Sequence, residues 1–567
     1  MKKCVFLLFF VCLSSALFCA SSPFLPHDKR HLSDSQVTKL TFQGLILLPS
    51  QEDLNPAGYE NVHGVLAYKI DLPGSVVSLK KELRPLIGKP LDEDTLAELK
   101  RRVQNYYHHN HHPLVRVTIP EQDISAGVVQ MIVKESQLGK VEVKGNKWFS
   151  KKSIEKQIRL QEDENLASDV LDQDLWWLNR NPFRQVDAVY LPGEKPGTTD
   201  IELLVHDRFP LRTYFGIDNT GNDVTGNNRL FIGVDWGKVF WTDQRLSYQF
   251  VTSSDFTRFY AHTLYYEAPL PWRHLLNIYG GYSHVDADYT IPNVKGTHFH
   301  TKGWSMQASL RYTVPLKPMR SFLHQVIGGF DFKRTNNNLA LGGRPVISDN
   351  NVNLTQFMLG YNLGYEVDPL TLSFEIEGFY SPGQWVADQS NADYQSLRSY
   401  SKNDYVYARS AFVLIWDFYQ KWTFHTTLRW QLASINLLPS EEYGVGGYNT
   451  VRGYKERIVN GDNVFILNLE VRTPPVSIFN PLAGYKKFHD EFVFLVFFDY
   501  GFQQVKRPVT DQNKTNNLAS IGPGVRYQVT PYLTFRADWG FQLHRITDPS
   551  VSGGPHQRLS FSLVAGY

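Results

Sequence analysis
From about Phe209 to its last residue the chain alternates apolar and polar side chains with a period of two, in sixteen separate stretches. In one, Met306, Ala308, Leu310, Tyr312 and Val314 are interleaved with Gln307, Ser309, Arg311 and Thr313. In another, Trp422, Phe424, Thr426, Leu428, Trp430 and Leu432 are interleaved with Thr423, His425, Thr427, Arg429 and Gln431. Successive side chains of a strand point to opposite faces, so each stretch reads as a strand with one apolar and one polar face. A half-buried soluble sheet gives the same pattern, but these stretches are many and about ten residues or longer, as in a membrane-spanning barrel. They fall near 211–219, 228–237, 243–253, 258–267, 275–284, 304–314, 323–333, 354–367, 370–380, 404–418, 421–434, 463–473, 491–501, 518–528, 531–542 and 557–567. The number is even. Connections after even-numbered strands are mostly short (Pro269-Leu270-Pro271-Trp272, Asp368-Pro369), and those after odd-numbered strands are mostly long and polar (285–303, 334–353, 381–403, 435–462). This predicts an outer-membrane barrel with its short turns in the periplasm. The run from Pro474-Pro475 to Asp490 is long for such a turn, and the sequence offers no account of it.

The end of the chain, Arg558 to Tyr567, keeps the alternation and stops on an aromatic. It predicts a last strand that closes on the first, although an ordinary edge strand reads the same way. Composition narrows the class further. The 58 basic residues barely exceed the 56 acidic ones, which argues against a nucleic-acid partner. A mean hydropathy of −0.31 excludes a helical membrane protein.

Ahead of the barrel, Lys2 and Lys3 precede an apolar run from Cys4 to Phe18 and small residues after it, the pattern of a secretory signal peptide over residues 1–22. That run is too short to span a bilayer well. All three cysteines (Cys4, Cys12, Cys19) lie within residues 1–22, so disulfides are excluded from the mature chain. Lipidation at Cys19 is an alternative, against which the bulky Phe18 counts. Residues 23–38 read as a tether. Two units of strand, helix, helix, strand, strand follow, at 39–135 and 136–208, and their succession is an internal repeat. The first unit has a strand at 39–48, an irregular region holding Asn55, Pro56 and Gly58, helices at 76–87 and 91–107, and strands at 114–120 and 127–134. The second has a strand at 139–143, helices at 150–158 and 167–178, and strands at 186–191 and 199–205. The run Tyr106-Tyr107-His108-His109-Asn110-His111-His112 resembles a metal site but lacks ligand spacing, and it reads as a solvated helix end. No phosphate loop and no catalytic set is present, so neither an enzyme nor a cofactor is expected.

The longest break in the barrel, 435–462, carries Val451-Arg452-Gly453-Tyr454. If this loop folds back into the lumen, Arg452 leaves water and needs a carboxylate, because an unpaired buried charge is very costly. Asp499 on the thirteenth strand is the natural partner, sharing a face with Val493, Leu495 and Phe497.

The repeated units, the second with Trp176-Trp177-Leu178-Asn179-Arg180-Asn181-Pro182-Phe183-Arg184, resemble POTRA domains. With a sixteen-strand barrel, a Val-Arg-Gly-Tyr tip on the sixth external loop and an Asp on strand thirteen, the chain is similar to the two-partner secretion transporters (TpsB family), exporters of filamentous-haemagglutinin and haemolysin-type proteins. The resemblance implies an α+β part, two tandem POTRA-like (βααββ) domains, followed by a 16-stranded antiparallel transmembrane β-barrel over 209–567. It also implies a lock between Arg452 and Asp499 with a loop tip of Val451, Gly453 and Tyr454. It puts a client-binding region near Trp177, Asn179, Arg180, Asn181, Pro182 and Phe183. The implied partners are a secreted exoprotein, β-helical and encoded nearby, outer-membrane lipid, and the barrel-assembly machinery for insertion. The implied location is the outer membrane, with the repeats in the periplasm. An insertase for other barrels is the alternative, and a passive porin a weaker one. The plug helix of some relatives is not evident in 23–38.

Overall fold
The computed structural model describes residues 40–290, 298–319, 321–336, 351–479, 489–510, 512–548, 551 and 555–567. The signal peptide and tether read at 1–38 lie outside the described residues, as does the middle of the run from Pro474 to Asp490. Two compact bodies result, one holding the first sheet and its helices, the other the second sheet together with the barrel.

The first body comprises β1 (Gly44–Leu48), β2 (Gly64–Ala67), α1 (Val76–Leu83), α2 (Glu93–His109), β3 (Val115–Thr118) and β4 (Val128–Glu135). Its sheet runs β2-β1-β4-β3, with β1 parallel to both neighbours and β3 antiparallel to β4. The unbroken apolar run of β1 is buried throughout. Leu79, Leu83, Leu99, Val103, Tyr106 and Tyr107 of the helices cover one face, and Leu54 and Val62 pack beside Ile46 and Leu48 on the other. Asp92, read as part of the first turn of α2, caps it instead, accepting from the Thr95 N–H at 2.8 Å. β2 departs from the sequence reading. It lies in the irregular region and joins the sheet by parallel backbone pairing, and four residues show too little alternation to be read as a strand. Among the described residues no group of His, Cys, Asp and Glu could hold a metal; His112 instead faces Glu135.

The second sheet is built from β5 (Gln137–Lys144), β6 (Arg184–Pro192) and β7 (Thr198–Asp207), with α3 (Lys151–Glu155) and α4 (Ser168–Asn179) between β5 and β6. Its order is β5-β7-β6, so β5 and β6 each keep one edge outside this sheet.

The barrel strands are β8 (Leu211–Asp218), β9 (Arg229–Val239), β10 (Gln244–Ser253), β11 (Phe259–Pro269), β12 (Leu275–Thr290), β13 (His298–Pro315), β14 (Phe322–Thr335), β15 (Val352–Val367), β16 (Leu370–Pro382), β17 (Asp404–Tyr419), β18 (Trp422–Ala433), β21 (Asn463–Arg472), β22 (His489–Gln504), β23 (Thr515–Thr530), β24 (Leu533–Gln542) and β25 (Gln557–Gly566). A small hairpin, β19 (Tyr443–Val445) and β20 (Val459–Gly461), stands in the loop between β18 and β21. The sixteen strands close into one antiparallel barrel, β25 pairing with β8 from Ser562 opposite Asp218 to Gly566 opposite Tyr214. Closure satisfies every wall strand on both sides, which a bilayer demands. On β22, Phe494 and Val496 are 42% and 47% exposed, whereas Leu495, Phe497 and Asp499 are at most 1% exposed. The apolar face of the alternation therefore looks outward, and the other face is covered from inside. The residues covering it belong to the loop between β18 and β21.

Candidate functional site
Beyond the β19–β20 hairpin the loop tip folds against the inner wall formed by β21, β22, β23 and β24. Val445, Val451, Tyr454 and Val459 of the loop join Val464, Ile466 and Leu518 of the wall in one apolar cluster. The Tyr454 hydroxyl donates to the Ala519 carbonyl at 3.0 Å. Gly453 has φ +89°, a conformation that favours glycine. It lies so close to Gly540 of β24 that a Cβ on Gly540 would stand 2.4 Å from the Gly453 nitrogen.

This packing delivers Arg452 to three carboxylates on three different strands. Its Nε and Nη2 donate to Asp499 Oδ2 and Oδ1, both at 2.7 Å, and its backbone N–H donates to the same carboxylate at 3.0 Å. Nη1 reaches Glu470 at 2.6 Å and Asp538 at 3.4 Å. The guanidinium lies 3.6 Å above the centre of the Phe497 ring. The planar fork suits a two-point carboxylate contact and a ring face together, which a lysine cannot reproduce. Burial works against the charge. Asp499, then Glu470 and Asp538, outweigh it and hold the Arg452 pKa above its ordinary value. The carboxylates are balanced in turn by Arg472 on Glu470 at 2.6 Å, and by Arg526 and Arg536 on Asp538 at 2.8 and 2.7 Å. Asn468 donates to Asp499 at 2.8 Å and to the Thr450 carbonyl at 2.5 Å, bridging loop and wall.

The structure thus brings Arg452, Asp499, Val451, Gly453 and Tyr454 together. Glu470 and Asp538 are the partners that the sequence reading misses. Each sits on the polar face of its strand, which is the one signal that could have found them.

A second anchor holds the loop where it leaves β18. Glu441, fully buried, accepts from Lys333 Nζ at 2.7 Å and from the Tyr407 hydroxyl at 2.6 Å, and its backbone carbonyl accepts from Arg409 at 2.7 Å. Burial opposes its charge, but Lys333 and Arg409 prevail and hold its pKa down to about 2. Nearby, α5 (Asn391–Leu397) in the loop between β16 and β17 packs Tyr394 and Leu397 with Leu437 and Leu438. Arg398 binds Asp462 at 2.6 Å and Glu442 at 2.9 Å.

Comparison with known proteins decides the family. Residues 197–527, more than half of the chain, match the model of the haemolysin secretion/activation proteins ShlB/FhaC/HecB, and residues 69–136 match the ShlB-type POTRA domain. The chain belongs to the ShlB/FhaC/HecB family. Among curated relatives it is similar to the outer membrane transporter CdiB of Dickeya dadantii, 23% identical over 65% of this chain and 64% of that one. It is likewise similar to the heme/hemopexin transporter protein HuxB of Haemophilus influenzae, 23% identical over 27% of each chain. The matched stretches thus span less than two thirds of these relatives. In fold it is similar to CdiB from Escherichia coli, with a TM-score of 0.73 at 15% identity over 95% of this chain and 93% of that one. CdiB from Acinetobacter baumannii gives 0.64 at 16% identity over 93% and 90%. The barrel of this ShlB/FhaC/HecB-family chain lies in the outer membrane with its POTRA part in the periplasm.

In this ShlB/FhaC/HecB-family chain, the stretch from Trp177 to Arg184 joins the second POTRA unit to the barrel. Asn181 Nδ2 donates to the Gly237 carbonyl at 2.7 Å and to Asp243 at 3.0 Å in the turn between β9 and β10. Arg184 reaches Asp243 at 2.8 Å, and Arg180 reaches Glu267 at the end of β11 at 3.1 Å while lying 4.3 Å over the Trp177 ring. Phe183 packs so tightly on Gly237 that a Cβ there would meet its ring at 2.1 Å. Asn179 exchanges hydrogen bonds with the Val186 backbone at 2.7 and 2.9 Å, and the Pro182 carbonyl accepts from Arg208 at 3.1 Å. A second contact pairs Arg273, between β11 and β12, with Asp174 of α4 at 2.6 Å. Trp177, Asn181 and Phe183 are buried.

Proposed function
We propose that the chain is the outer-membrane translocase of a two-partner secretion pair, taking an unfolded exoprotein from the periplasm and exporting it through the barrel. The observation that carries this reading is the loop tip held in the lumen by Arg452. A polar arginine clamp, built on the inner wall of a barrel whose family exports proteins, is a releasable closure. The client pairs its backbone with a free sheet edge of the POTRA units, since an open edge accepts an extended peptide through main-chain hydrogen bonds. A β-helical exoprotein encoded nearby is the expected client, and its folding outside supplies the drive. The chain itself carries no catalytic role in this scheme. Its own insertion depends on the barrel-assembly machinery.

Deleting the gene and quantifying the adjacent exoprotein and several unrelated barrels in periplasm, membrane and medium tests the proposal. Loss of the exoprotein alone from the medium is expected. Loss of the unrelated barrels from the membrane would make the chain an assembly factor. Arg452→Ala leaves Asp499 buried without its fork, a loss of about 3–5 kcal/mol in loop docking. The variant is expected to insert normally, to conduct ions more freely in planar bilayers, and to secrete less. Wild-type conductance and secretion would remove the clamp from the scheme.

A further inference from the structure
The outer face of the first barrel hairpin does not stop where the barrel stops. On β8, Leu211 and Phe215 point outward and are 39% and 52% exposed, and Phe209, one two-residue step earlier, is 53% exposed. On β9, Ile232, Val234 and Trp236 share the outward face, the same alternation reaches Lys238, and Phe240 and Trp241 open the turn that follows. Phe240 and the adjoining Trp241 are 72% and 84% exposed. Leu211 pairs with Trp236, so Phe209 and Lys238 lie one step of about 7 Å further toward the periplasm, and Phe240 and Trp241 follow in the turn.

The second POTRA unit adds to this surface. Lys238 Nζ donates to the Trp148 carbonyl at 2.6 Å and stands 5.9 Å from the centre of the Trp241 ring. Trp148, 45% exposed, meets Phe209 edge to face with ring centres 4.9 Å apart, and the exposed Lys147 precedes it. The opposite side of the same turn is already occupied, because Asn181 and Arg184 hold Gly237 and Asp243. The aromatic side faces outward.

We infer that Trp148, Phe209, Phe240 and Trp241, with Lys147 and Lys238, form a pad seated in the headgroup layer of the inner leaflet, tying the second POTRA unit to phospholipid. Four neighbouring aromatics in water would be an unusually large exposed apolar patch, whereas tryptophan rings are favoured at the membrane interface. The two lysines match the phosphates there, as on the polar side of interfacial segments. Lipid is the favoured occupant because the pad continues a face that already touches lipid one step above.

The test uses full-length protein in phosphatidylethanolamine nanodiscs with and without phosphatidylglycerol. The three native cysteines lie within residues 1–22, so Phe209→Cys and Trp241→Cys can carry an environment-sensitive dye, with Ile232→Cys as the lipid-belt control and Val77→Cys, exposed on the first unit, as the aqueous control. Strong quenching by headgroup-nitroxide lipid and resistance to aqueous iodide are expected at 209 and 241, with weaker quenching when phosphatidylglycerol is omitted. Iodide quenching equal to that at 77 would overturn the inference. Protection that arises only at high protein-to-lipid ratio, or only when unfolded exoprotein is added, would overturn it in favour of a second copy or the client. As an independent readout, Phe240→Ser with Trp241→Ser is expected to raise amide exchange around residues 146–150 several-fold in nanodiscs while the barrel keeps its heat-modifiable mobility. Unchanged exchange would count against the pad.

Discussion
Arg452 and its surroundings separate charge from shape. Gly540→Ala adds one methyl against the Gly453 nitrogen and the Arg452 carbonyl carbon, at 2.4 and 2.7 Å, and neither backbone atom can move aside alone. The variant keeps every charge yet is expected to expel the tip, reproducing the raised conductance of Arg452→Ala. Gly328→Ala on β14, where a Cβ meets nothing within 4 Å, is the control and should behave as wild type. Glu456 gives the loop a pH dependence. Its carboxylate accepts from the Tyr448 N–H at 2.6 Å. Burial first of all, with Asp218 adding to it, raises its pKa from 4.5 to about 7 against the opposing pull of Tyr448, Arg558 and Arg536. The docked loop therefore holds a proton that a released loop has given up between these values. Docking is strongest below pH 4.5 and weakens as pH rises through 7. Loop accessibility to a thiol reagent, measured with an introduced cysteine at pH 5 and pH 8, should rise with pH in the wild type and stay level in Glu456→Gln.

At the scale of elements, the loop between β18 and β21 is fastened twice, by Glu441 to the β14–β17 wall and by Arg452 to the β21–β24 wall. One broken fastening leaves the other in place. Glu441→Gln alone is expected to change conductance modestly, and combined with Arg452→Ala to open the lumen further than either single change, as single-channel recording would show. Asp499 was legible in the sequence because a buried arginine demands a carboxylate and Asp499 lies on the polar face of an otherwise apolar strand. Glu470, Asp538 and Glu441 were not. Alternation tells which face a side chain takes but not its height along the barrel, and the contacts of Arg452 span up to 86 residues of chain. Strand positions were legible for the same reason that heights were not. The exception is the β12–β13 hairpin, whose strands run to Thr290 and from His298, past the alternating stretches. Outside the bilayer, backbone pairing needs no apolar face.

At the scale of the whole molecule, the order of repeats and barrel was legible from composition and period, while the use of Asn181, Arg184 and Phe183 was not, since small buried cores and domain joints favour the same residues. The joint makes a prediction of its own. Arg184→Ala leaves Asp243 with weaker compensation, a cost of about 3 kcal/mol by the rule for buried pairs. Hydrogen exchange should speed up in β6 and in the turn between β9 and β10, with the distant strands β14–β17 unchanged, and secretion should fall although the barrel inserts. The loop tip also has a mechanical meaning. By bonding to β21, β22, β23 and β24, it acts as a rivet through four adjacent staves, and that quarter of the wall is stiff while the tip is seated. Under load the barrel yields elsewhere first, above all at the seam where β25 meets β8 over the short run from Ser562 to Gly566. Drawing the rivet spreads the compliance around the whole hoop, so the stiffness of that quarter depends on Arg452 and Tyr454 staying seated.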